Sequence, residues 1–374
     1  MRVLQVSKFY SPIRGGIESA TLELAEGLNR AGVPTDVLCA NTSSATEREQ
    51  ADAGFTIVRA GSLGRVLSTS MAPSMISQVG QLCPHYDVVH VHMPDPMAAL
   101  ALWLAKPKAQ LVVHWHSDVV RQRLSLKLYE PLQRWLLKRA DAIIATSPAY
   151  VESSSALRPW RSKVEVIPIG ISDNAASVRP EQVARLRERY GGRRIIFALG
   201  RMAYYKGFDV LIDAALRLPD DCVVLIGGAG TMLDRLRLRV ASDTPAGKVH
   251  LLGPIEQQEL VTHFAAADVF CLPSIARSEA YGVVMVEAMS MGKPVVSTEI
   301  PGSGVSWVNL EGVTGLKVPM GSPQALADAL CLILADEGLR ERMGAAARHH
   351  YIEHFSAAEM TRRTVSLYRR LLAS

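Results

Sequence analysis

Short apolar runs alternate with amphipathic segments along almost the whole chain of 374 residues. Runs of four to six mostly apolar and β-branched residues, bounded by glycine, proline or polar residues, are typical of buried strands. The segment after the first run instead has apolar residues at helical spacing, namely Ile17, Ala20, Leu24 and Leu28. Gly32 follows them as a stop signal. Strands that alternate with helices predict parallel sheets built from βαβ units.

The strand-like runs fall into two groups separated by a polar segment. The first group is 3–6, 35–40, 56–60, 88–92, 111–116, 142–146 and 164–167. The second group is 195–199, 222–226, 249–252, 269–272, 295–298 and 315–318. The polar, arginine-rich residues 172–194 between the groups predict a domain junction. We therefore expect two doubly wound α/β domains, 1–172 and 173–356, and a final amphipathic helix, 357–374, that packs back on the first domain.

Composition narrows the class of protein. The formal charge of +5 and pI near 9.0 suit an anionic small ligand or membrane surface and fall short of a nucleic-acid footprint. Cys39, Cys222, Cys271 and Cys331 lie in apolar runs without Cys-x-x-Cys spacing, as expected in a reducing compartment. The first residues predict a strand and not a signal peptide, and the apolar run 97–105 is too short to span a bilayer. These features predict a cytoplasmic protein.

An acidic pair follows one strand-like run of the second half. Glu279 lies in the loop after the run 267–274, and Glu287 lies inside the helix that follows. Ligands of open α/β sheets bind at the carboxyl edge, so Glu279 should lie there beside the backbone N–H groups of 280–283. A carboxylate beside amide donors suits a polyhydroxylated ligand that carries phosphate. The alternative is one surface carboxylate and one helix-capping carboxylate.

Two cations and two glycines mark further loops at strand ends. Arg201 and Lys206 flank a loop that follows the first strand of the second half, and they can hold a diphosphate without a metal. Gly15-Gly16 lies between the first strand and helix, where backbone amides can approach a phosphate. Solvated charges and a simple turn are the alternatives. The chain has no Gly-x-Gly-x-x-Gly or Walker A pattern, which counts against dehydrogenases and nucleoside-triphosphate hydrolases.

Histidines occur twice at a spacing of two. His90-Val91-His92 and His114-Trp115-His116 each place two imidazoles on one face of a strand. Such pairs can ligate a metal, with Asp95 and Asp118 close by in the sequence. The favoured interpretation is one functional histidine at a strand end, His116, with the others packed beneath it.

These motifs together resemble a known family. The chain resembles a retaining nucleotide-sugar glycosyltransferase of family 4, with the GT-B fold of two Rossmann-like domains facing a central cleft. The resemblance covers nearly the whole length and is most specific over 267–298. Local detail at 204–208 and 302–307 is most similar to bacterial mannosyl- and rhamnosyltransferases of polysaccharide assembly, such as that of lipopolysaccharide.

The resemblance implies a role for each site residue. Glu279 would contact the donor sugar's hydroxyls, Glu287 would hold the ribose, and His116 would lie near the transferred sugar. Arg201 and Lys206 would hold the diphosphate. The other donor-binding positions would be Gly15, Gly16, Gly253, Pro254, Ile255, Ala280, Tyr281, Gly282 and Val283, of which 253–255 would lie against the base.

The expected reaction moves a hexose, best mannose or rhamnose from a GDP-sugar, to a glycan or lipid-linked glycan. Double displacement needs a carboxylate nucleophile, and the resemblance places Glu279 at the sugar hydroxyls instead. Same-face attack, without metal or other cofactor, is therefore expected. The alternatives are a sugar-nucleotide epimerase of the same fold, a metallohydrolase built on the His-x-His pairs, and a non-catalytic partner subunit.

One basic segment suggests where the acceptor binds. Residues 121–139 mix six basic residues with Leu, Tyr and Trp, as in a surface that rests on an anionic bilayer. Pro131 is expected to interrupt the helical pattern of this segment. A packed helix with a solvated basic face is the alternative. The membrane interpretation predicts peripheral contact at the inner face of the cell membrane.

Overall fold

The computed structural model describes residues 1–13, 15–66, 69–118 and 123–373. The chain forms two compact units, one of residues 1–172 with 356–374 and one of residues 173–355. Each unit is built around its own parallel sheet.

The elements of the first unit begin at the amino terminus. Its strands are β1 Val3–Ser7, β2 Thr35–Ala40, β3 Glu47–Gln50, β4 Thr56–Ala60, β5 Arg65–Val66, β6 Thr69–Ser70, β7 Val88–Met93, β8 Gln110–Trp115, β9 Ala142–Ala145 and β10 Val164–Val166. Its first helices are α1 Gly16–Arg30, α2 Ser74–Leu82, α3 Pro96–Ala105, α4 Arg123–Arg139 and α5 Pro148–Ser153.

The second unit continues the alternation. Its strands are β11 Arg194–Leu199, β12 Cys222–Gly227, β13 Val249–Gly253, β14 Val269–Leu272, β15 Val295–Glu299 and β16 Gly315–Pro319. Its helices are α6 Pro180–Arg189, α7 Phe208–Ala215, α8 Leu233–Asp243, α9 Gln257–Ala266, α10 Val283–Ser290, α11 Val305–Val308, α12 Pro323–Ala335 and α13 Glu337–His350, and α13 runs into a π-helical segment, Tyr351–Phe355. The last helix, α14 Ala357–Ala373, belongs to the first unit.

Both sheets reverse their strand order next to their first strand. The first sheet has the order β10-β9-β8-β7-β1-β2-β4-β3, and its paired strands are parallel except β3 with β4. The second has the order β13-β12-β11-β14-β15-β16 and is parallel throughout its described pairs. The switch points therefore lie between β1 and β7 and between β11 and β14. Ligands of such sheets bind outside the carboxyl ends of the strands at these points.

The apolar runs identified every long parallel strand to within one residue at either end. Most of their side chains are buried, as in β7, where every residue is inaccessible to solvent. Strand β3 was not predicted, because its sequence Glu-Arg-Glu-Gln is polar and wholly exposed at the sheet edge. The three cysteines Cys39, Cys222 and Cys271 are buried as predicted, and Cys331 is half-buried.

The boundary between the two units, at 172/173, lies in the polar segment that predicted the junction. The rest of that segment contains α6, whose Arg187 donates hydrogen bonds to the Ala266 carbonyl and the Asp268 carboxylate of the second unit. One local prediction was wrong. Pro131 does not interrupt α4, which continues through it. Burial of Leu136 and Leu137 in the next turns offsets the hydrogen bond that proline cannot make.

The final helix completes the core of the first unit. Tyr368 and Met360 of α14 are buried against residues of the first sheet and of α1. At the start of α14, the N–H of Ala357 donates a hydrogen bond of 2.8 Å to the carbonyl of Ile171, in the segment that follows β10. Among the described residues, no helix is long and apolar enough to cross a membrane.

Candidate active site

Two loops meet at the switch point of the second sheet. One follows β11 and carries Lys206, and the other follows β14 and carries Glu279. The N–H of Ile275 donates to the carbonyl of Tyr205 at 2.8 Å, which joins the two loops through their backbones. The adjacency of β11 and β14 therefore places side chains from both loops at one edge.

Gly207 allows the two loops to approach each other. It has a φ of +65°, and a Cβ at this position would lie 2.0 Å from the carbonyl oxygen of Pro273. Only glycine accommodates both the left-handed conformation and this backbone contact. Gly207 follows the 3₁₀ turn Tyr204–Lys206 and is the N-cap of α7. Its backbone conformation therefore orients the neighbouring residue Lys206.

Lys206 and Glu279 form a buried ion pair. The Lys206 Nζ lies 2.6 Å from the Glu279 Oε2, and the two side chains are 9% and 10% exposed. Ser274 Oγ donates a hydrogen bond of 3.0 Å to the same carboxylate oxygen. The family resemblance implies that Lys206 holds the diphosphate and Glu279 the sugar hydroxyls. The structure brings the two side chains into direct contact. A charge buried this deeply requires such a partner.

The backbone around Glu279 is fixed by the loop that follows β15. Ser303 Oγ donates to the Glu279 carbonyl, and the N–H of Gly304 donates to the Ala280 carbonyl at 2.8 Å. The sequence Gly302-Ser303-Gly304, which matched no nucleotide motif, thus supports the acidic loop. Within the described part of the chain, the second carboxylate oxygen, Oε1, accepts no hydrogen bond. It is the acceptor that Glu279 can offer to a ligand hydroxyl.

Arg201 and Lys206 lie at one aromatic ring. The Arg201 guanidinium carbon is 5.8 Å and the Lys206 Nζ 5.7 Å from the centroid of Tyr205. Arg201 Nη2 also donates to the Tyr205 hydroxyl at 3.1 Å. Arg201 is exposed and Lys206 is buried. The Tyr205 ring therefore contacts one exposed and one buried cation. Tyr205 was not predicted as a site residue, although it stands next to Lys206.

The helix after the acidic loop begins at Val283. Gly282 precedes it with a φ of +81°, and Ala280 and Tyr281 are half-buried and buried respectively. The first N–H groups of a helix lie outside its internal ladder and carry partial positive charge. Glu287 is half-buried in the second turn of this helix. All these predicted positions therefore lie on or next to the loop that carries Glu279.

The predicted base-binding segment lies at the end of a neighbouring strand. Gly253 ends β13, and its carbonyl accepts a hydrogen bond of 2.7 Å from the N–H of Gly228, which follows β12. Pro254 is exposed, while the Ile255 side chain packs over Gly227. The segment thus shares the carboxyl edge with Lys206 and Glu279.

In the first unit, the glycine pair lies between β1 and α1, as predicted, and beside the switch point. Gly15 is the N-cap of α1 and Gly16 its first residue. The Glu18 carboxylate folds back over Gly15, where an added Cβ would lie 2.2 Å from its Oε2. This carboxylate already occupies the favourable position at the helix N-terminus, so a phosphate would have to displace it.

The histidines form one buried cluster instead of two separate pairs. Its members are Gln5 on β1, His90 and His92 on β7, His114 on β8, His116 directly after β8, and Tyr368 on α14. His92 Nδ1 lies 2.9 Å from His116 Nε2, and His90 Nε2 lies 3.2 Å from His114 Nδ1. The rings of His114 and His116 stack at 4.1 Å. The strand spacing predicted which face they share, and the register of β7 with β8 joins them.

Burial keeps these imidazoles neutral. It lowers the pKa of His90 and His116 to about 3, and it lowers the pKa of His92 and His114 well below their usual range. At neutral pH, His116 can therefore accept a hydrogen bond at a bare ring nitrogen but cannot supply a positive charge. Its Nδ1 is buried and makes no hydrogen bond within the described residues.

A metal site was one alternative for the histidines. One nitrogen from each of His90, His92 and His114 lies within 4.8 Å of the other two. The ring nitrogens that face one another are already joined in hydrogen bonds, and no carboxylate joins this set among the described residues. Asp118 instead accepts hydrogen bonds from the Trp115 indole and from Ser154, at 3.0 and 2.8 Å. The arrangement favours a hydrogen-bonded cluster over a metal centre.

Asp95 was considered only as a carboxylate near the metal-site alternative. It follows β7 at the switch point, and its Oδ1 accepts hydrogen bonds from the N–H groups of Met97 and Ala98. Burial raises the pKa of Asp95 to about 6. Its Oδ2 and the Tyr129 hydroxyl are both buried without a hydrogen bond to the described residues. The Asp-Pro pair before an apolar helix was a usable signal for this N-cap.

The geometry can be set beside known proteins. Residues 181–350 match the family model of group 1 glycosyl transferases, and residues 15–170 match that of the glycosyl transferase 4-like domain. The O-antigen chain mannosyltransferase C of Escherichia coli is 34% identical over 100% of both chains. The chain belongs to the group 1 glycosyltransferases. The D-rhamnosyltransferase WbpZ of Pseudomonas aeruginosa is 36% identical, over 96% of this glycosyltransferase and 93% of WbpZ.

Solved structures show the fold of this glycosyltransferase. Sucrose-phosphate synthase from Thermosynechococcus elongatus has a TM-score of 0.83 at 22% identity, over 100% of this chain and 99% of that chain. Anabaena HepE in complex with UDP-glucose has a TM-score of 0.78 at 20% identity, over 99% of this chain and 100% of that chain. The chain thus has the two Rossmann-like domains of the GT-B class, and the expected family and fold are confirmed.

Proposed function

We propose that this glycosyltransferase moves mannose or rhamnose from a GDP-sugar to a glycan or lipid-linked glycan with retention of configuration and without a metal. The names of its relatives support the sugar and the acceptor class. They include the O-antigen mannosyltransferase, the D-rhamnosyltransferase and a GDP-mannose-dependent phosphatidylinositol monomannoside mannosyltransferase of Mycolicibacterium smegmatis, which is 30% identical.

The observation that carries the proposal is the buried contact between Lys206 and Glu279 at the switch point. Lys206 and Arg201 together would hold the donor diphosphate, with Tyr205 between them. The Oε2 of Glu279 contacts Lys206 and Ser274, so its Oε1 would accept a hydrogen bond from a sugar hydroxyl. The second unit would thus bind the donor, with the base against 253–255 and the ribose at Glu287, and the first unit would bind the acceptor.

The ion pair also bears on the mechanism. A nucleophile for double displacement must be a free carboxylate beneath the anomeric carbon. Glu279 shares its Oε2 with an ammonium and a hydroxyl, at 2.6 and 3.0 Å, which lowers its nucleophilicity. This supports same-face attack, in which the leaving diphosphate accepts the acceptor's proton and the two cations stabilise the developing charge.

Nucleotide binding is the first test. Purified protein would be heated with GDP, UDP, dTDP, GDP-mannose or UDP-glucose, with chelator present. A ligand at a hundred times its Kd adds about 2.7 kcal/mol of stability. We expect a shift from guanosine ligands that Lys206→Ala abolishes and that Arg235→Ala, an exposed cation of α8, leaves intact. Absence of a shift with every nucleotide would contradict the proposal.

A product assay separates the rival enzyme classes. A sugar-nucleotide epimerase would consume donor without acceptor, whereas a transferase releases GDP in step with acceptor added. The anomeric configuration of the product, read by NMR coupling constants, decides between retention and inversion. Full turnover in chelator would support metal independence.

The acceptor side has a surface that fits a membrane-borne substrate. Trp103 and Leu104 at the end of α3 are 43% and 50% exposed. Arg139 of α4 donates hydrogen bonds to the Pro107 and Ala109 carbonyls, which places the end of α4 beside this loop. Lys106, Lys108 and Lys138 are exposed around it. We propose that this surface, Trp103–Lys108 with Lys138, rests on an anionic bilayer.

Liposomes of phosphatidylglycerol test the membrane surface. Each basic side chain near an anionic surface contributes about 1 kcal/mol, so replacing Lys106, Lys108 and Lys138 by glutamine should weaken binding roughly 100-fold. Trp103→Ser should also weaken it, while Leu238→Ser, at a residue 74% exposed in the second unit, should not. Absence of binding at low salt would contradict this part of the proposal.

A further inference from the structure

The buried histidine cluster contains two hydrogen-bonded branches that start from one side chain. Gln5 Oε1 lies 2.6 Å from His92 Nε2, and its amide Nε2 lies 3.5 Å from the Tyr368 hydroxyl. The first branch runs from Gln5 through His92 to His116. The second branch runs from Gln5 through Tyr368 and His90 to His114. Gln5 is fully buried, so its amide cannot exchange these partners for solvent.

The first branch fixes where the protons lie. The Gln5 Oε1 can only accept, so His92 carries its proton on Nε2 and leaves Nδ1 bare. The contact of 2.9 Å between His92 Nδ1 and His116 Nε2 then requires the proton of His116 on Nε2. Because His116 is neutral, its Nδ1 is left with a lone pair, and this atom is buried without a partner among the residues that the structure describes.

The second branch does not fix its protons in the same way. The amide of Gln5 donates to the Tyr368 hydroxyl, and that oxygen can either donate to His90 Nδ1, at 2.5 Å, or accept a second hydrogen bond from it. His90 Nε2 correspondingly donates to His114 Nδ1 or accepts from it. The amide of Gln5 therefore fixes the tautomers of His92 and His116 alone.

We propose that Gln5 and His92 are positioning residues that hold His116 in the tautomer protonated on Nε2, so that Nδ1 presents a lone pair to a hydroxyl of the bound substrate. This rests on the proposed function and on the role that the family resemblance implies for His116, near the transferred sugar. Buried polar networks of this type specify a single arrangement only when each member is satisfied. The bare Nδ1 therefore identifies the position at which substrate completes the first branch.

The tautomers are measurable on the full chain labelled with ¹⁵N-histidine. Long-range proton–nitrogen correlation separates a protonated Nδ1 from a protonated Nε2, and His116→Gln assigns the His116 signal. We expect Nε2 protonation at His116 and at His92 in the wild type. Protonation of His116 at Nδ1, a charged ring, or stoichiometric zinc bound by the cluster would overturn the proposal.

Two variants of matched position test the positioning role. Gln5→Met keeps the side-chain length but removes the amide, so His116 should populate both tautomers and kcat should fall about 10- to 100-fold. Tyr368→Phe removes only the second branch, so His116 should keep its tautomer and kcat should stay within about twofold. A fall of kcat in both variants alike, without a change of tautomer, would indicate a structural role and overturn the proposal.

A third variant keeps the test decisive if Gln5→Met does not fold. Gln5→Glu still accepts a hydrogen bond from His92 Nε2, so the His116 tautomer should survive, whereas Tyr368 would now donate to the carboxylate and accept from His90 Nδ1. Failure of the tautomer proposal can be distinguished from failure of the proposed function. His116→Ala with full turnover would refute the role of His116 in the proposed function, even where the spectra show the expected tautomers.

Discussion

The second sheet carries a buried ion pair beside its switch point, and the first sheet carries neutral imidazoles in a similar place. Lys206 and Glu279 are about a tenth exposed and lie 2.6 Å apart, so each has the other as its partner. His90, His92, His114 and His116 carry no charge, because burial lowers the pKa of each. Both units therefore bury polar groups next to a predicted ligand site, by opposite means.

The two regions respond differently to the loss of one member. The ion pair does not tolerate the loss of one partner, because the remaining charge stays buried and unpaired. A cluster of neutral imidazoles loses only hydrogen bonds when one member is removed, but it cannot accept protons without desolvating a charge. The ion pair suits a region that must meet a phosphate charge, and the imidazoles suit one that must meet hydroxyls.

The largest expected effect comes from separating the ion pair. Lys206→Met should destabilise the protein by about 3–5 kcal/mol and lower kcat by about 10²–10³. The double variant Lys206→Met with Glu279→Gln should recover most of the stability, because no unpaired charge remains, while kcat stays low. Denaturant unfolding and turnover, measured on the same preparations, check both parts.

The outcome for the single variant decides whether the contact is structural, functional or both. Unchanged stability in Lys206→Met would mean that the pair is not a buried charge contact in solution. Recovery of turnover in the double variant would mean that Lys206 serves only to hold Glu279 in place.

A smaller effect should come from the glycine that lets the two loops approach. Gly207→Ala should destabilise by about 1–2 kcal/mol for the left-handed conformation, and by about 1–3 kcal/mol more because the Pro273 carbonyl must move. Gly321→Ala is the matched control, since Gly321 has a φ of +70° with no atom within 4 Å of an added Cβ. Equal losses of stability in the two variants would contradict the close packing of the loops at Lys206.

The smallest effect is a change in acid sensitivity. The pKa of the four histidines is lower in the folded chain than the value near 6.5 of the unfolded chain, so stability falls as pH drops from about 6.5 toward 3. Each histidine contributes at most about 1.4 kcal/mol per pH unit. Asp95 opposes this, because its raised pKa, about 6, favours the folded state as pH falls through that value.

A single substitution measures how much one histidine contributes to the pH dependence of the unfolding free energy. The variant His90→Gln should reduce the slope of unfolding free energy against pH, between pH 6.5 and 5, by up to about 1.4 kcal/mol per unit. The matched control is His85→Gln, because His85 is exposed and should leave the slope unchanged. A steeper slope in His90→Gln would contradict the neutral state of the cluster.

Much of the fold follows from the order of residues alone. Burial on both faces of a parallel sheet requires continuous apolar runs, and this requirement located the long strands to within one residue. The loops that carry Glu279, Lys206, Gly15 and His116 were predictable because each follows such a run. Strand β3 escaped prediction, because an exposed edge strand has no buried face to mark it.

The contacts within the site depend on the tertiary structure. Lys206 and Glu279 are distant in sequence and meet because β11 and β14 are neighbours at the switch point. Gln5, His92 and His116 meet because β1, β7 and β8 lie side by side in one register. Local spacing predicts which face of a strand a side chain occupies, but strand order and register decide which side chains share a hydrogen bond. The order of residues is therefore enough to predict the long strands, the family and the site loops. The order and register of the strands bring Lys206 to Glu279 at one site, and Gln5 to His92 and His116 at the other.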